Sequence, residues 1–134
     1  MNLVDSSAWL EYFANGPNAS FFAPAIERTE ELLVPSLVLY EVFKRVLPQR
    51  DEGHALQAVA VMQQGRVVDL DASLALVAAR ISLERKLPMA DSVILATARA
   101  CGATVWTQDA DFKSLPGVQF RRRKSRGVGG RTGT

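Results

Sequence analysis

The sequence is poor in residues that many catalytic and secreted scaffolds depend on. It has one cysteine, Cys101, and one histidine, His54, in 134 residues. A single cysteine excludes an internal disulfide and any cysteine-based zinc cluster. A single histidine argues against a Ser-His-Asp triad or a histidine-based metal site. No apolar run nears the roughly 18 residues that a membrane span needs. Residues 1–5 carry no basic stretch leading into an apolar one, so no signal peptide is expected. The expectation is a soluble, cytoplasmic protein with no membrane partner. Hydrophobic residues make up 48% and charged residues 22% of the chain, which fits a folded rather than a disordered polymer. The length suits one domain with its own core.

The formal net charge of +2 conceals two unlike parts. Residues 121–134, RRRKSRGVGGRTGT, hold six basic residues and no acid. The other ten basic residues face all fourteen acids, which leaves residues 1–120 with a net charge of −4. The basic balance therefore does not describe the body, and nucleic-acid binding across its whole surface does not follow from it. After Phe120 the apolar pattern stops, and the tail is expected to be disordered.

The body alternates short β-type runs with helical patterns. Strands are predicted at 2–4, 32–35, 67–70, 104–107 and 118–120. Rich in Val and Leu, they read as strands buried on both faces. Helices are predicted at 8–13, 23–31, 37–47 (stopped by Pro48), 53–64, 73–85 and 90–101. In the fifth, Leu74, Val77, Ala78 and Ile81 form an apolar stripe, with Asp71 as N-cap. Gly102 sits at the C′ position of the last. The gaps between the first four strands are long enough for helical crossovers, not hairpins. The fold class is α/β with a mostly parallel sheet.

In such sheets ligands collect at the carboxyl ends of the strands. Asp5 follows the first strand, and Asp109 and Asp111 follow the fourth. Asp91 opens the helix that returns to the fourth strand. Glu41 interrupts the apolar run 37–43, on a helix expected to be buried on most sides. Separate structural roles can be assigned to them: Asp5 or Asp91 as helix caps, Asp109 as a turn residue, Asp111 as the cap of a turn starting at Phe112, and Glu41 as a partner of Lys44 or Arg45. A single cause accounts for four of them together. Crowded carboxylates raise each other's pKa unless a cation neutralises them. A site with oxygen ligands alone favours a hard ion, Mg²⁺ or Mn²⁺, and such an ion supports phosphodiester hydrolysis.

The motifs resemble those of a known family. Leu3-Val4-Asp5-Ser6-Ser7 looks like the opening of a PIN domain. Residues 35–42, 88–96 and 105–112 are similar to its second, third and fourth acidic motifs. Size and helix-rich crossovers resemble the VapC toxins of toxin–antitoxin pairs, over about residues 1–120. The resemblance implies a three-layer α/β/α sandwich with a five-stranded sheet as a nuclease domain over 1–120, followed by the basic tail 121–134. It implies a Mg²⁺- or Mn²⁺-dependent endoribonuclease acting on tRNA, rRNA or mRNA, a homodimer, and a cognate antitoxin that blocks the acidic pocket. Carried over by motif, Asp5, Glu41, Asp91 and Asp109 form the metal-binding quartet. Asp5 and Asp91 are the expected direct ligands. Glu41 and Asp109 bind directly, through water or at a second site. Ser7 and Thr107 orient the acids or a water, with Asp111 in support. Arg121, Arg122, Arg123 and Lys124 are candidate RNA contacts. Ala110 departs from the family pattern, which often has a basic residue there, and the tail is longer and more basic than expected. The alternative is a catalytically silent PIN-like module that binds a protein or RNA, but silent members are expected to lose acids and this chain keeps all four. A phosphatase is disfavoured because Asp5-Ser6-Ser7 lacks a second Asp.

Overall fold

The computed structural model describes residues 1–124. The strands are β1 (Asn2–Val4), β2 (Leu32–Pro35), β3 (Arg66–Val68), β4 (Thr104–Thr107) and β5 (Val118–Phe120). The helices are α1 (Ser6–Phe13), α2 (Ala19–Glu27), α3 (Ser36–Gln49), α4 (Glu52–Met62), α5 (Ala72–Arg85) and α6 (Met89–Cys101). Short 3₁₀ turns occupy Thr29–Glu31 and Ala110–Phe112. The five strands form one sheet in the order β3-β2-β1-β4-β5, and every pairing is parallel.

The chain moves from β1 to β2 to β3 in one direction, then jumps back across the sheet to β4. Right-handed crossovers put α1–α4 on one face and α5–α6 on the other. Packing agrees with that division: α1 contacts α2 and α3, α3 contacts α4, and α5 contacts α6. The core lies between these layers and the central strands. Leu3, Val4, Leu33 and Val34 of the sheet, Trp9 and Phe22 of one helical layer, and Val93–Ala96 of the other are all buried. Trp9, Tyr12 and Phe13 form an aromatic cluster, with Trp9 fully buried and its ring stacked on Phe13 at 5.5 Å.

Four strands coincide with the expectation or fall within it, and the differences have local causes. β3 starts at Arg66 and ends at Val68, where its partner β2 ends at Pro35. Asp69 and Leu70 then have no strand to pair with. β3 and β5 are edges and are not buried on both faces. α2 begins at Ala19, so Pro24 lies inside it, and Pro48 lies inside the last turn of α3 rather than stopping it. Each proline removes a bond to the residue four before it. Those residues, Ser20 and Lys44, are exposed, where water can replace the missing donor. On α5, Leu74, Ala78 and Ile81 face inward, but Val77 is 46% exposed. Asp71 caps α5 by accepting from the Leu74 N–H, and Gly102 ends α6 at φ 63°. Glycine reaches that left-handed region without strain.

Of the tail, residues 125–134 lie outside the described residues. Arg121 and Arg122 are tied to the body: the Arg121 N–H donates to the Thr107 carbonyl, and the Asn18 side chain donates to the Arg122 carbonyl.

Candidate functional site

The strand order reverses between β1 and β4, so the crevice at their carboxyl ends is the switch point where such sheets bind ligands. Asp5 leaves β1 there, and Asp109 stands two residues past the end of β4. Asp91 enters from the first turn of α6, and Glu41 from α3, the helix that leaves β2.

Asp5 is built in most firmly. It caps α1 by accepting from the Ala8 N–H at 3.0 Å. The same oxygen, Oδ1, accepts from the Ser7 hydroxyl at 2.7 Å, and Oδ2 accepts from the Thr107 hydroxyl at 2.5 Å. Cap and site residue are therefore one group. A carboxylate has about four acceptor positions, so these three bonds leave one position on Oδ2 free. Asp5 is 4% exposed, and burial pushes its pKa up to about 6 in spite of the three donors; the charge of Asp109 adds to the rise. Both orienting hydroxyls are fixed in turn. Ser7 accepts from the Gln108 N–H at 3.0 Å, and Thr107 accepts from the Asp109 N–H at 2.8 Å.

Asp91, Asp109 and Asp111 converge. Each offers an oxygen, and these oxygens all lie within 4.8 Å of one another. Burial raises the pKa of Asp91 to about 8, with further contributions from the charge of Asp109 and from hydrogen bonds to Asp111 and Asp109. Asp91 is not a cap: the residue before α6 is Pro88. Nor is Asp111. Asp109 caps the 3₁₀ turn by accepting from the Asp111 N–H at 2.9 Å, which leaves the Asp111 side chain free to turn toward Asp91.

Glu41 is half-buried, because α3 buries only Val38 and Val42 and leaves Tyr40 exposed. The helix is thus less enclosed than its apolar run implies. Burial still raises the pKa of Glu41, with the Ser6 hydroxyl opposing and Asp109 reinforcing the rise. Lys44 does not pair with it; its Nζ donates to the Tyr40 hydroxyl at 3.3 Å and stands over that ring. Among the described residues the one acid–base side-chain contact within ion-pair distance is Asp51 with His54, at the exposed start of α4. No described lysine or arginine is paired with these acids.

Asp109 is therefore the hub, since its charge acts on Asp5, Glu41 and Asp91 alike. The tight triad is Asp91, Asp109 and Asp111, while Asp5 and Glu41 stand outside it. The donor set is oxygen alone, crowded and without a paired cation among the described residues, and this suits a hard divalent ion. Two cavities of about 660 and 670 Å³ adjoin the site and share Ser7, Gln108 and Arg123 in their walls. Arg122 and Arg123 line the second beside Asp109, whereas the Arg121 guanidinium lies 4.2 Å from the centre of the Phe21 ring. Sequence reasoning missed Asn18 and the Gln108 side chain. Nothing in the residues around Asn18 announces that its side chain bonds to Gln108, 90 residues away.

The family model described as PIN domain matches residues 3–118. No curated protein matches the sequence. Solved structures do resemble it. One is a toxin–antitoxin complex from Klebsiella pneumoniae, at TM-score 0.74 and 21% identity, covering 89% of this chain and 96% of that one. Another is VapC20 of Mycobacterium tuberculosis, described as a sarcin-ricin loop cleaving toxin, at TM-score 0.71 and 19% identity, covering 87% and 95%. A third is DNA-bound VapBC from Salmonella typhimurium, at TM-score 0.67 and 20% identity, covering 91% and 98%.

Proposed function

The chain belongs to the PIN-domain family, and on that premise we propose that it is a metal-dependent endoribonuclease and the toxin of a type II toxin–antitoxin pair. The observation that carries this reading is the convergence of Asp91, Asp109 and Asp111 at the sheet's switch point, beside a buried Asp5, with no paired cation among the described residues to balance them. A silent module would have no reason to keep so costly a group of carboxylates together. The similar structures include a toxin described as cleaving the sarcin-ricin loop and a toxin–antitoxin complex, which supports the same direction.

Asp5, Asp91 and Asp109 would hold Mg²⁺ or Mn²⁺, with Asp111 as a further ligand and Glu41 holding it through water or at a second position. When bound, such an ion polarises the phosphodiester and makes water nucleophilic near neutral pH. The chain's own contribution is orientation. Ser7, Thr107 and the Ala8 N–H fix the Asp5 carboxylate, while the Asp109 cap and the Thr107 hydroxyl fix the loop that carries Asp109 and Asp111. The substrate class is tRNA, rRNA or mRNA in the cytoplasm. A cognate antitoxin is the protein partner. A homodimer is the working state, and the exposed Leu76, Val77 and Leu83 of α5 with Met89 are the apolar surface it would cover.

The test is cleavage of total cellular RNA by the purified chain, with 5′-end sequencing of the products. Cutting should require Mg²⁺ or Mn²⁺, stop in EDTA, and fall at least a hundredfold in Asp5→Asn and Asp91→Asn. Metal-independent cutting, or full activity in both variants, would reject the reading.

A further inference from the structure

Asn18 occupies the N-cap position of α2 but makes no side-chain capping bond, although asparagine is among the best caps. It is 2% exposed. Its side-chain amide donates instead to Gln108 Oε1 at 2.6 Å and to the Arg122 carbonyl at 2.9 Å. Its own N–H donates to Glu11 Oε2 at 2.6 Å. Hydrogen bonds thus link the Arg122 carbonyl to Asn18 and Asn18 to the Gln108 side chain, while the backbone N–H of the same Gln108 holds Ser7, which donates to Asp5. The backbone just before Arg122 is held too, by the Arg121 N–H on the Thr107 carbonyl and the Arg121 guanidinium on Phe21.

Immediately past this anchor the chain carries two more cations to the site. Arg122 and Arg123 line the 670 Å³ cavity together with Asp109 and Lys113, and Arg123 also lines the 660 Å³ cavity. Among the described residues neither arginine pairs with a carboxylate. Two arginines that line one cavity with Asp109, on a stretch of backbone held at Arg121 and Arg122, suit an oxyanion chain that must lie against the acids around Asp109. Fixing the backbone beforehand also lowers the ordering cost of binding.

We propose that Asn18 is a positioning residue for substrate: it latches the root of the cationic segment so that Arg122 and Arg123 hold the phosphates of an RNA strand next to Asp109. The proposal rests on the ribonuclease reading for the identity of the polyanion.

The test uses the full chain and a fluorescein-labelled 15-nucleotide single-stranded RNA, with fluorescence anisotropy in EDTA across 25 to 200 mM salt. Arg122→Gln with Arg123→Gln should lower the log–log salt slope by about 1.4, or about 0.7 for each single-strand phosphate that is no longer neutralised. Asn18→Leu should weaken binding at least fivefold and lower the slope. In the double-glutamine background it should have no further effect. In Mn²⁺ the KM of Asn18→Leu should rise while kcat stays within twofold. If Asn18→Leu does not fold, Gln108→Met removes the acceptor of the same latch and should behave alike. The proposal is overturned if Asn18→Leu binds as the parent does, if it weakens binding equally in both backgrounds, if kcat falls at constant KM, or if the parent does not bind the probe at 25 mM salt. A parent that binds in this pattern but cuts nothing in Mn²⁺ rejects the ribonuclease reading and leaves the latch standing. A parent that cuts while Asn18→Leu changes nothing rejects the latch alone.

Discussion

Thr107 clips Asp5 to Asp109. Its hydroxyl donates to Asp5 Oδ2 at 2.5 Å and accepts from the Asp109 N–H at 2.8 Å, so one fully buried side chain holds the Asp5 carboxylate and the backbone that carries Asp109, whose charge repels it. Thr107→Val keeps the shape and removes both bonds. Leaving a buried donor and acceptor unmatched costs about 1–3 kcal/mol. Thermal unfolding should drop by roughly 5 °C, and Mn²⁺ affinity should fall with it. Thr107→Ser should restore most of both. A valine variant with the parent's melting temperature and Mn²⁺ affinity would show that the clip sets neither carboxylate.

Stability of the metal-free protein should fall as pH rises. A carboxyl whose folded pKa lies above its unfolded value stabilises the fold while protonated. That stability is full below about pH 4 and is lost as pH rises through the folded value, about 6 for Asp5 and about 8 for Asp91. Glu41 acts in the same direction. For Asp5 alone the loss is about 3 kcal/mol. Calorimetry in EDTA should show the melting temperature falling by roughly 5–10 °C between pH 5 and pH 8.5. Saturating Mn²⁺ should flatten the decline, since it binds the ionised fold. A melting temperature that is level or rises over that window in EDTA would contradict the stated directions.

Asp91→Asn should separate stability from function. It removes a charge from the triad while keeping its size, so in EDTA at pH 8 the variant should melt several degrees above the parent. The same change should abolish RNA cleavage. Melting curves and cleavage measured on one preparation test both halves. A variant less stable than the parent at pH 8 would mean that Asp91 is held by contacts other than the acids.

The apolar surface of α5 should be an interface. Leu83 is 83% exposed and Leu76 is 74% exposed, one above the other at a spacing of seven. Leu76→Glu with Leu83→Glu should convert a dimer into a folded monomer in analytical ultracentrifugation. A monomeric parent, or a dimer untouched by the two glutamates, would place the interface elsewhere or remove it.

The main features of the fold were legible because the signals are local. Short Val- and Leu-rich runs at long spacing require helical crossovers, and β1, β2, β4 and β5 form at the residues their patterns mark. Element ends were less legible, because they depend on partners. β3 stops where β2 does, and α2 runs through Pro24 because the freed carbonyl lies at the surface. The positions of Asp5, Asp91 and Asp109 could be read from their places after strands and at a helix start. The sequence pattern makes Asp111 the cap of a turn starting at Phe112, but the turn starts at Ala110, so Asp109 is the cap instead; only the backbone course of the loop decides between them. Asn18 was invisible, because the partners of its side chain lie 90 and 104 residues away.

The proposed function stands or falls on a divalent-cation site among the acids around Asp109. Titration calorimetry with Mn²⁺ at pH 7.5 tests that site most directly, on the parent and on Asp109→Asn. Saturable binding to the parent is expected, with at least a hundredfold weaker binding to the variant. No binding to the parent, or equal binding to both, would contradict it.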